Sequence, residues 1–302
     1  MAEKNQVTVN TKKLSLIQVP FGLGTVRPGT EEGPESMLQA GLMRQLRKTA
    51  CEIAGDYKIN CAKPAADSKD PKHLPEVKEM GAQVAELVAS EVGNRHIPLV
   101  LGGDHSVTIG VLAGLATTVN KVGVIYFDAH AGLNADGKMG GMSLSVALGM
   151  AKLKLSDIAG SVSETAINKQ NVVLIGVRDV EPEERELILA EGITVFTMHE
   201  IDRMGIEKVI AKAIDIAGQG TDGIHVSFSA DCLDPIEAPG VENQVPGGLT
   251  YREAHFACEL LAETGRIISI DVVEVNSKLD ESRRTARLAI GLIASLLGKR
   301  II

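Results

Sequence analysis

VGVIYFDAH, residues 122–130, joins an apolar run to two residues whose side chains commonly bind metals. The run over 122–128 is rich in Val, Ile, Tyr and Phe without the alternation of a half-exposed strand, which predicts a strand covered on both faces. Asp128 and His130 end the stretch, and their spacing places both side chains on one side of an extended segment. The stretch therefore predicts a buried parallel strand that delivers a carboxylate and an imidazole to its carboxyl end.

Seven further apolar runs predict strands, which makes eight with 122–128. They cover 15–19, 51–54, 98–102, 172–176, 194–196, 223–228 and 267–273. Helix-period segments lie between them, and this alternation is typical of parallel strands joined by crossover helices. The clearest predicted helices cover 76–92, 251–263 with Thr250 as N-cap, and 281–297. Because no repeat or Pro/Ser linker interrupts the pattern, we expect one α/β domain over 1–302, with 1–13 as a polar N-terminal tail and loops at 64–71 and 132–141.

The composition excludes several classes of protein. A net charge of −8, no Trp, and only five Phe and three Tyr argue against nucleic-acid binding, which favours basic and aromatic surfaces. The first 13 residues lack an apolar signal segment, and no apolar run is long enough to span a bilayer, so we expect an intracellular, cytoplasmic protein. The four cysteines show no metal-finger or disulfide spacing and are expected to be ordinary buried thiols.

Three strand ends carry clusters of polar residues, at 102–106, 128–130 and 227–235. The carboxyl ends of parallel strands converge on one crevice, so we expect the side chains there to meet. The candidate metal ligands are His105, Asp128, His130 and Asp231. Two imidazoles and two carboxylates suit zinc, manganese or another divalent ion. The alternative is that each is a solitary structural group, such as a capping Asp or a hydrogen-bonded core His, but three clusters at three site-forming positions favour a metal site.

These motifs resemble those of a known family. GGDHS at 102–106, DAH at 128–130 and SFSADCLDP at 227–235 are similar to the three signatures of arginases and other ureohydrolases. Further similar segments follow in the family's order: GTEEGPESML at 29–38, VRDVEPEE at 177–184, TMHEIDRMG at 197–205, PGGLTYREA at 246–254 and DVVEVNSKLD at 271–280. The resemblance implies the arginase–deacetylase fold, an eight-stranded parallel sheet with helices on both faces. It also implies a reaction in which a hydroxide bridging two manganese ions attacks a guanidinium carbon and releases urea.

The resemblance also assigns site residues, with departures. His105, Asp128, His130 and Asp231 match four of the family's six metal ligands, whereas Gly132 and Ser229 stand where the family has aspartates. The substrate-pocket positions are Asn134 and Glu274, which match, Glu181 in place of Asp, Asn243 in place of Thr, and Gly140 in place of a proton-shuttling His. The loop over 134–141 is also several residues shorter than the family's substrate loop.

From these departures we expect a pseudoenzyme with a binding or regulatory role, with no catalytic residue retained and with none or one weakly bound divalent ion, Mn or Zn, rather than binuclear Mn. One alternative is a C–N hydrolase with a single ion on Asp128, His130 and Asp231, the set that histone deacetylases retain. The other is a working arginase that produces urea and ornithine, with Asp104 or Asp136 replacing the absent ligands. Lys138 is a candidate for neutralising the carboxylates. The resemblance implies a homotrimer or homohexamer that binds a small amino acid or guanidino compound.

Overall fold

The computed structural model describes residues 12–63, 70 and 72–300. Within them, eight strands form one sheet in the order β2-β1-β3-β8-β7-β4-β5-β6, and every pairing is parallel. The strands are β1 (Lys12–Gln18), β2 (Cys51–Lys58), β3 (Ile97–Leu101), β4 (Val122–Phe127), β5 (Ile167–Val177), β6 (Thr194–Thr197), β7 (Gly223–Ser229) and β8 (Ile267–Val273). The predicted eight-stranded parallel sheet is confirmed.

Helices cover both faces of this sheet. In the described residues they are α1 (Gly33–Gln39), α2 (Leu42–Leu46), α3 (Leu74–Gly93), α4 (Val107–Thr118), α5 (Ser143–Ala147), α6 (Ser156–Ala159), α7 (Pro182–Glu191), α8 (Met198–Met204), α9 (Ile206–Gly218), α10 (Tyr251–Glu263) and α11 (Arg284–Leu296). Alternate residues of β4 enter two separate cores: Phe127 packs on the side of α9, α10 and α11, and Tyr126 on the side of α3 and α4. A strand covered on both faces is buried along its whole length, and this accounts for the unbroken apolar run of β4.

The strand order brings the polar clusters together. β3, β8, β7 and β4 are consecutive neighbours in the centre of the sheet. Each of these strands ends in one of the segments that the sequence singled out, and parallel strands end at the same edge. The three clusters that are far apart in sequence therefore meet at the carboxyl edge of the sheet.

Some boundaries differ from those predicted. Lys12 and Lys13 pair with β2, so they belong to β1 and not to the polar tail; residues 1–11 lie outside the described part. The predicted helix at 281–297 was wrong at its start, because a 3₁₀ turn, Glu281–Arg283, precedes α11 and Ser282 has a φ of 59°. The predicted N-cap of α10 is confirmed, since the side chain of Thr250 accepts a hydrogen bond from the Glu253 amide. Of the predicted loop at 64–71, only residue 70 is described.

Three further expectations concern the whole chain. Over the described ranges, the helices are all too short or too polar to cross a bilayer. The four cysteines are unpaired; Cys232 and Cys258 are buried as expected, but Cys51 and Cys61 are partly exposed. A single domain over 1–302 stays a prediction.

Candidate metal centre

The predicted ligands come from the segments that follow β3, β4 and β7. His105 lies in the turn between β3 and α4, Asp128 directly follows β4, and Asp231 lies in the 3₁₀ turn after β7. All three side chains are buried. The turn that carries His105 requires glycine at 103, because a Cβ there would lie 1.8 Å from the carbonyl oxygen of Phe21. Close backbone packing of this kind fixes the position of the His105 side chain.

Asp128 is central to the cluster, because its two carboxylate oxygens face different imidazoles. Oδ1 lies 3.1 Å from Nδ1 of His130, and Oδ2 lies 2.8 Å from Nδ1 of His105. Nδ1 of His130 also lies 3.6 Å from Oδ2 of Asp231. Ligand atoms of Asp128, His130 and Asp231 all lie within 4.8 Å of one another, which is close enough to share a divalent ion. Asp128 thus connects a His130 side and a His105 side of the cluster.

On the His105 side of the cluster, hydrogen bonding fixes the tautomer of neutral His105. The hydroxyl of Ser227 donates to Asp271 at 2.7 Å, so its oxygen accepts from Nε2 of His105 at 2.9 Å. Nδ1 then carries a lone pair, and it faces the Asp128 carboxylate and, at 3.0 Å, the hydroxyl of Tyr126. An imidazole lone pair this close to a carboxylate oxygen is repulsive without a positive charge between them. The geometry suits a cation, because an outer partner on Nε2 is how proteins orient a metal-binding His.

The buried carboxylates also lack sufficient compensating charge. Burial raises the pKa of Asp231 well above its usual range, and the charge of Asp128 raises it further. Burial also raises the pKa of Glu274 well above normal, with Asp231 adding to the effect. Glu274 is held towards the site by accepting a hydrogen bond from the His105 amide at 2.7 Å, and its backbone has a φ of 65°, which is uncommon for a non-glycine residue.

The pKa values of Asp128 and His130, the two titratable residues of the DAH motif, shift in opposite directions. Burial alone would raise the pKa of Asp128, but the two imidazoles beside it, His105 and His130, bring it below its usual range when they carry a proton towards its carboxylate. Burial alone would lower the pKa of His130, but the hydrogen bond and charge of Asp128, with the charge of Asp231, raise it to about 9. In the absence of a metal, His130 is therefore the group that carries the compensating proton near neutral pH.

The donor set fits a divalent metal ion. Oδ1 of Asp231 is buried and, among the described residues, has no hydrogen-bond partner. An unpaired carboxylate oxygen is costly in a protein interior unless a cation occupies the site. Imidazole nitrogen and carboxylate oxygen are ligands for Mn²⁺ and Zn²⁺ alike.

A cavity of about 350 Å³ opens onto this cluster. It is lined by all four predicted ligands and by the five predicted substrate-pocket residues, namely Asn134, Gly140, Glu181, Asn243 and Glu274. Lys138 lines the same cavity. The structure therefore gathers the residues that the motifs singled out, although their functional roles stay predictions.

The two positions at which the resemblance has aspartates differ in their surroundings. Gly132 lines the cavity with a φ of 65°, and a Cβ there would lie 2.6 Å from the Tyr126 hydroxyl. Ser229 is buried at the end of β7, and its hydroxyl accepts a hydrogen bond from the Asp231 amide at 3.2 Å. Ser229 thus orients the backbone that carries Asp231.

The two proposed replacement ligands are wrong. Asp136 is exposed and pairs with Lys72. Asp104 is buried, but its carboxylate accepts from the amides of Gly24 and Ser106 and is committed to holding the turn before α4. Neither residue is among those described as lining the cavity.

Sequence reasoning missed several cavity residues, among them Tyr126, Glu184 and Glu242. Tyr126 was identifiable, because it lies two residues before Asp128 and so shares its face of the extended segment. Glu184 closes a capping box with Glu181 at the start of α7, and the local ExxE spacing indicated that cap. Glu242 accepts from the amides of Val26 and Arg27. No local sequence signal predicts this contact between distant loops.

Fold and site together define a class: an α/β protein with a parallel sheet and, at the carboxyl ends of its strands, a cluster of His and Asp side chains that could hold a metal ion. The model of the Arginase family matches residues 12–298. A curated arginase of Brevibacillus brevis is 39% identical over 298 residues, covering 96% of this chain and 99% of the relative. The solved arginase of Bacillus caldovelox is 40% identical with a TM-score of 0.91, covering 96% and 100% of the two chains. The arginase of Entamoeba histolytica, solved with L-ornithine, is 28% identical with a TM-score of 0.85, covering 95% and 98%. The chain belongs to the arginase family.

This membership corrects the cofactor expectation. The prediction of no ion or one weakly bound ion, with binuclear manganese excluded, is wrong. Arginases about 40% identical to this chain over nearly its full length belong to a family with a binuclear manganese cluster. The described residues also include a possible metal site. The expectation counted only the six motif positions, whereas the side chains of Tyr126 and Glu274 also line the cavity. The comparisons likewise give no support to a pseudoenzyme.

Proposed function

We propose that this chain is a manganese-dependent ureohydrolase that converts arginine and water to urea and ornithine. The observation that carries the proposal is the cluster of Asp128, His130 and Asp231, with an unpaired buried oxygen on Asp231, at the floor of the cavity. Similarity to arginases over nearly the full chain supports the reaction. The L-ornithine named with the Entamoeba structure supports the amino-acid class of ligand.

The proposed metal ligands are Asp128, His130, Asp231 and His105. Bound divalent metal lowers the pKa of water towards neutrality and so supplies a hydroxide nucleophile for the guanidinium carbon. The protein's own contribution is to hold these donors in place: Ser227 orients the His105 ring, and Ser229 fixes the Asp231 backbone. Burial of the cluster strengthens every electrostatic interaction in it.

The charge of the cavity favours a cationic substrate group. Its lining includes the carboxylates of Asp128, Asp231, Glu274, Glu181 and Glu242. A guanidinium is planar and permanently charged, and it donates paired hydrogen bonds to carboxylates. We assign the guanidinium to the deep end beside Glu274, the carboxylate that also accepts from the His105 amide.

The opposite end of the substrate carries an amino and a carboxylate group. Glu181 and Asn243 line the outer part of the cavity, and Glu181 is the proposed contact of the α-amino group. Lys138, in the shortened loop, is the proposed contact of the carboxylate. This assignment gives the loop a binding role despite the absence of a His at Gly140.

Urea release tests the proposal directly. Chelator-treated protein is reloaded with manganese and given arginine, and we expect manganese-dependent urea and ornithine in equal amounts. No urea above the rate of a chelated control would refute the proposed activity.

Substrate assignment is tested by Lys138→Met. Loss of one charged hydrogen bond costs about 1.5–3 kcal/mol, so we expect KM for arginine to rise by roughly tenfold or more. Agmatine, which lacks the carboxylate, is the matched control and should be unaffected. An equal change for both substrates would show that Lys138 does not contact the carboxylate.

We also propose a homo-oligomer, a trimer or hexamer, from family resemblance. Light scattering of the purified chain tests this, and a monomer at micromolar concentration would contradict it.

A further inference from the structure

The phenol of Tyr126 lies on the His105 side of the metal centre. Its oxygen is 3.0 Å from Nδ1 of His105 and 2.9 Å from the hydroxyl of Ser143. Its ring stacks on the His105 imidazole with centroids 4.4 Å apart and planes inclined by 3°. Tyr126 is fully buried, so packing holds the hydroxyl in this position.

This hydroxyl occupies the space that a side chain at 132 would need. A Cβ built on Gly132 would lie 2.6 Å from the Tyr126 oxygen and 3.1 Å from the Ser143 oxygen. Contacts below about 3 Å do not occur for real Cβ atoms, so a side chain at 132 would displace the phenol. Tyr126 and Gly132 therefore form a matched pair: because Gly132 has no side chain, there is room for the phenol oxygen of Tyr126.

We propose that Tyr126 is a metal ligand, supplying the third protein donor of a second divalent-ion position together with Nδ1 of His105 and Oδ2 of Asp128. The inference rests on the proposed function, and it assigns to the phenol the place of the carboxylate that position 132 lacks. The second oxygen of Asp128 faces His130, so Asp128 would be shared between the two positions.

The distances fit this assignment. Octahedral ions with bonds of about 2.1 Å separate neighbouring ligand atoms by about 3 Å. Nδ1 of His105 lies 2.8 Å from Oδ2 of Asp128 and 3.0 Å from the Tyr126 oxygen. Both distances from Nδ1 of His105 match those between adjacent corners of one coordination sphere.

The phenol can bind while keeping its proton. Without metal, the hydroxyl has the lone pair of His105 Nδ1 as a partner, but Ser143 lies within hydrogen-bond distance as an alternative acceptor. Rotation of the O–H towards Ser143 frees both Nδ1 and an oxygen lone pair of Tyr126 for the ion. Ser143 is thus a positioning residue for the proposed ligand.

The test is the manganese stoichiometry of Tyr126→Phe, which removes the oxygen and keeps the stacked ring. Equilibrium dialysis with elemental analysis counts the ions, and electron paramagnetic resonance detects the spin coupling of two ions that share a carboxylate. We expect two coupled ions in the native chain. In the variant we expect one uncoupled ion, with the affinity for the second reduced by more than about 100-fold, beyond the loss typical of outer-sphere partners.

Three further variants control the result. Ser143→Ala keeps the phenol oxygen but removes its acceptor, and it should weaken the second ion less than Tyr126→Phe does. Gly132→Ala should weaken the second ion, because its methyl collides with the phenol; this variant serves if Tyr126→Phe does not fold. Gly132→Asp in the Tyr126→Phe background removes the 2.6 Å contact and offers a carboxylate in place of the phenol oxygen, on a backbone that keeps a φ of 65°. It should recover the second ion.

Each outcome decides the matter. Two ions retained in folded Tyr126→Phe or in Gly132→Ala would overturn the assignment. One ion in the native chain, with urea release intact, would overturn it and leave the proposed function standing. No bound manganese and no urea release would refute the proposed function itself.

Discussion

Two buried carboxylate clusters lie at opposite ends of the sheet, and they are built differently. Near the amino end of β3, Glu91 accepts hydrogen bonds from Ser15, from Tyr57 at 3.2 Å and from His96 at 2.8 Å. At the carboxyl edge, Asp231 keeps an oxygen that has no partner within the described part of the chain. Both carboxylates are buried.

The pKa values follow this difference. Burial raises the pKa of Glu91, but the hydrogen bonds from Ser15, His96 and Tyr57 outweigh it and bring the pKa below its usual range. For Asp231, burial and the charge of Asp128 both raise the pKa. A fully hydrogen-bonded carboxylate stabilises a fold, whereas an unsatisfied one beside other acids is typical of a ligand site. The predictions below test this contrast.

The largest expected effect is on turnover. Asp231→Asn removes a proposed ligand charge, so we expect urea release to fall by more than about 100-fold, beyond the loss typical of outer-sphere metal partners. The metal-free variant should be at least as stable as the native chain, because the repulsion between Asp231 and Asp128 has gone. Full turnover in the variant would remove Asp231 from the metal site.

The second prediction concerns stabilisation by metal. At 100 times its dissociation constant, a ligand of the native state alone adds about 2.7 kcal/mol to the free energy of unfolding. Thermal melts with and without manganese should show this gain in the native chain and in Glu91→Ala alike. A gain lost in Glu91→Ala would mean that the two clusters are coupled.

The third prediction concerns the Glu91 cluster itself. Glu91→Ala leaves Ser15 and His96 without their common acceptor, at a cost of about 1–3 kcal/mol in the free energy of unfolding. Denaturant titration measures this change, and manganese affinity should be unaltered. An unchanged free energy of unfolding would show that the satisfied cluster adds no stability.

The smallest effect is the pH dependence of that cluster. Since the folded pKa of Glu91 is lowered, its ionised form stabilises the fold above the unfolded pKa of about 4.3, and this contribution is lost as pH falls through the folded pKa. The stability difference between the native chain and Glu91→Gln should therefore shrink in acid. A difference that widens on acidification would reverse the assigned sign.

The sequence predicted the sheet well, because continuous apolar strands and strand-end polar clusters are local signals. His105, Asp128, His130 and Asp231 could be grouped for the same reason. The role of Tyr126 was missed, since it depends on the empty volume at Gly132, which only the packed fold defines. The cofactor error has the same origin: motif positions were counted without the oxygens that other elements bring to the cavity.

The most direct test of the central claim is calorimetric titration of the metal-free native chain with manganese, beside Asp231→Asn. Our account predicts saturable manganese uptake by the native chain and weak or no uptake by the variant, because the unpaired carboxylate oxygen of Asp231 is proposed to bind the ion. Absence of uptake by the native chain, or equal uptake by both, would contradict it.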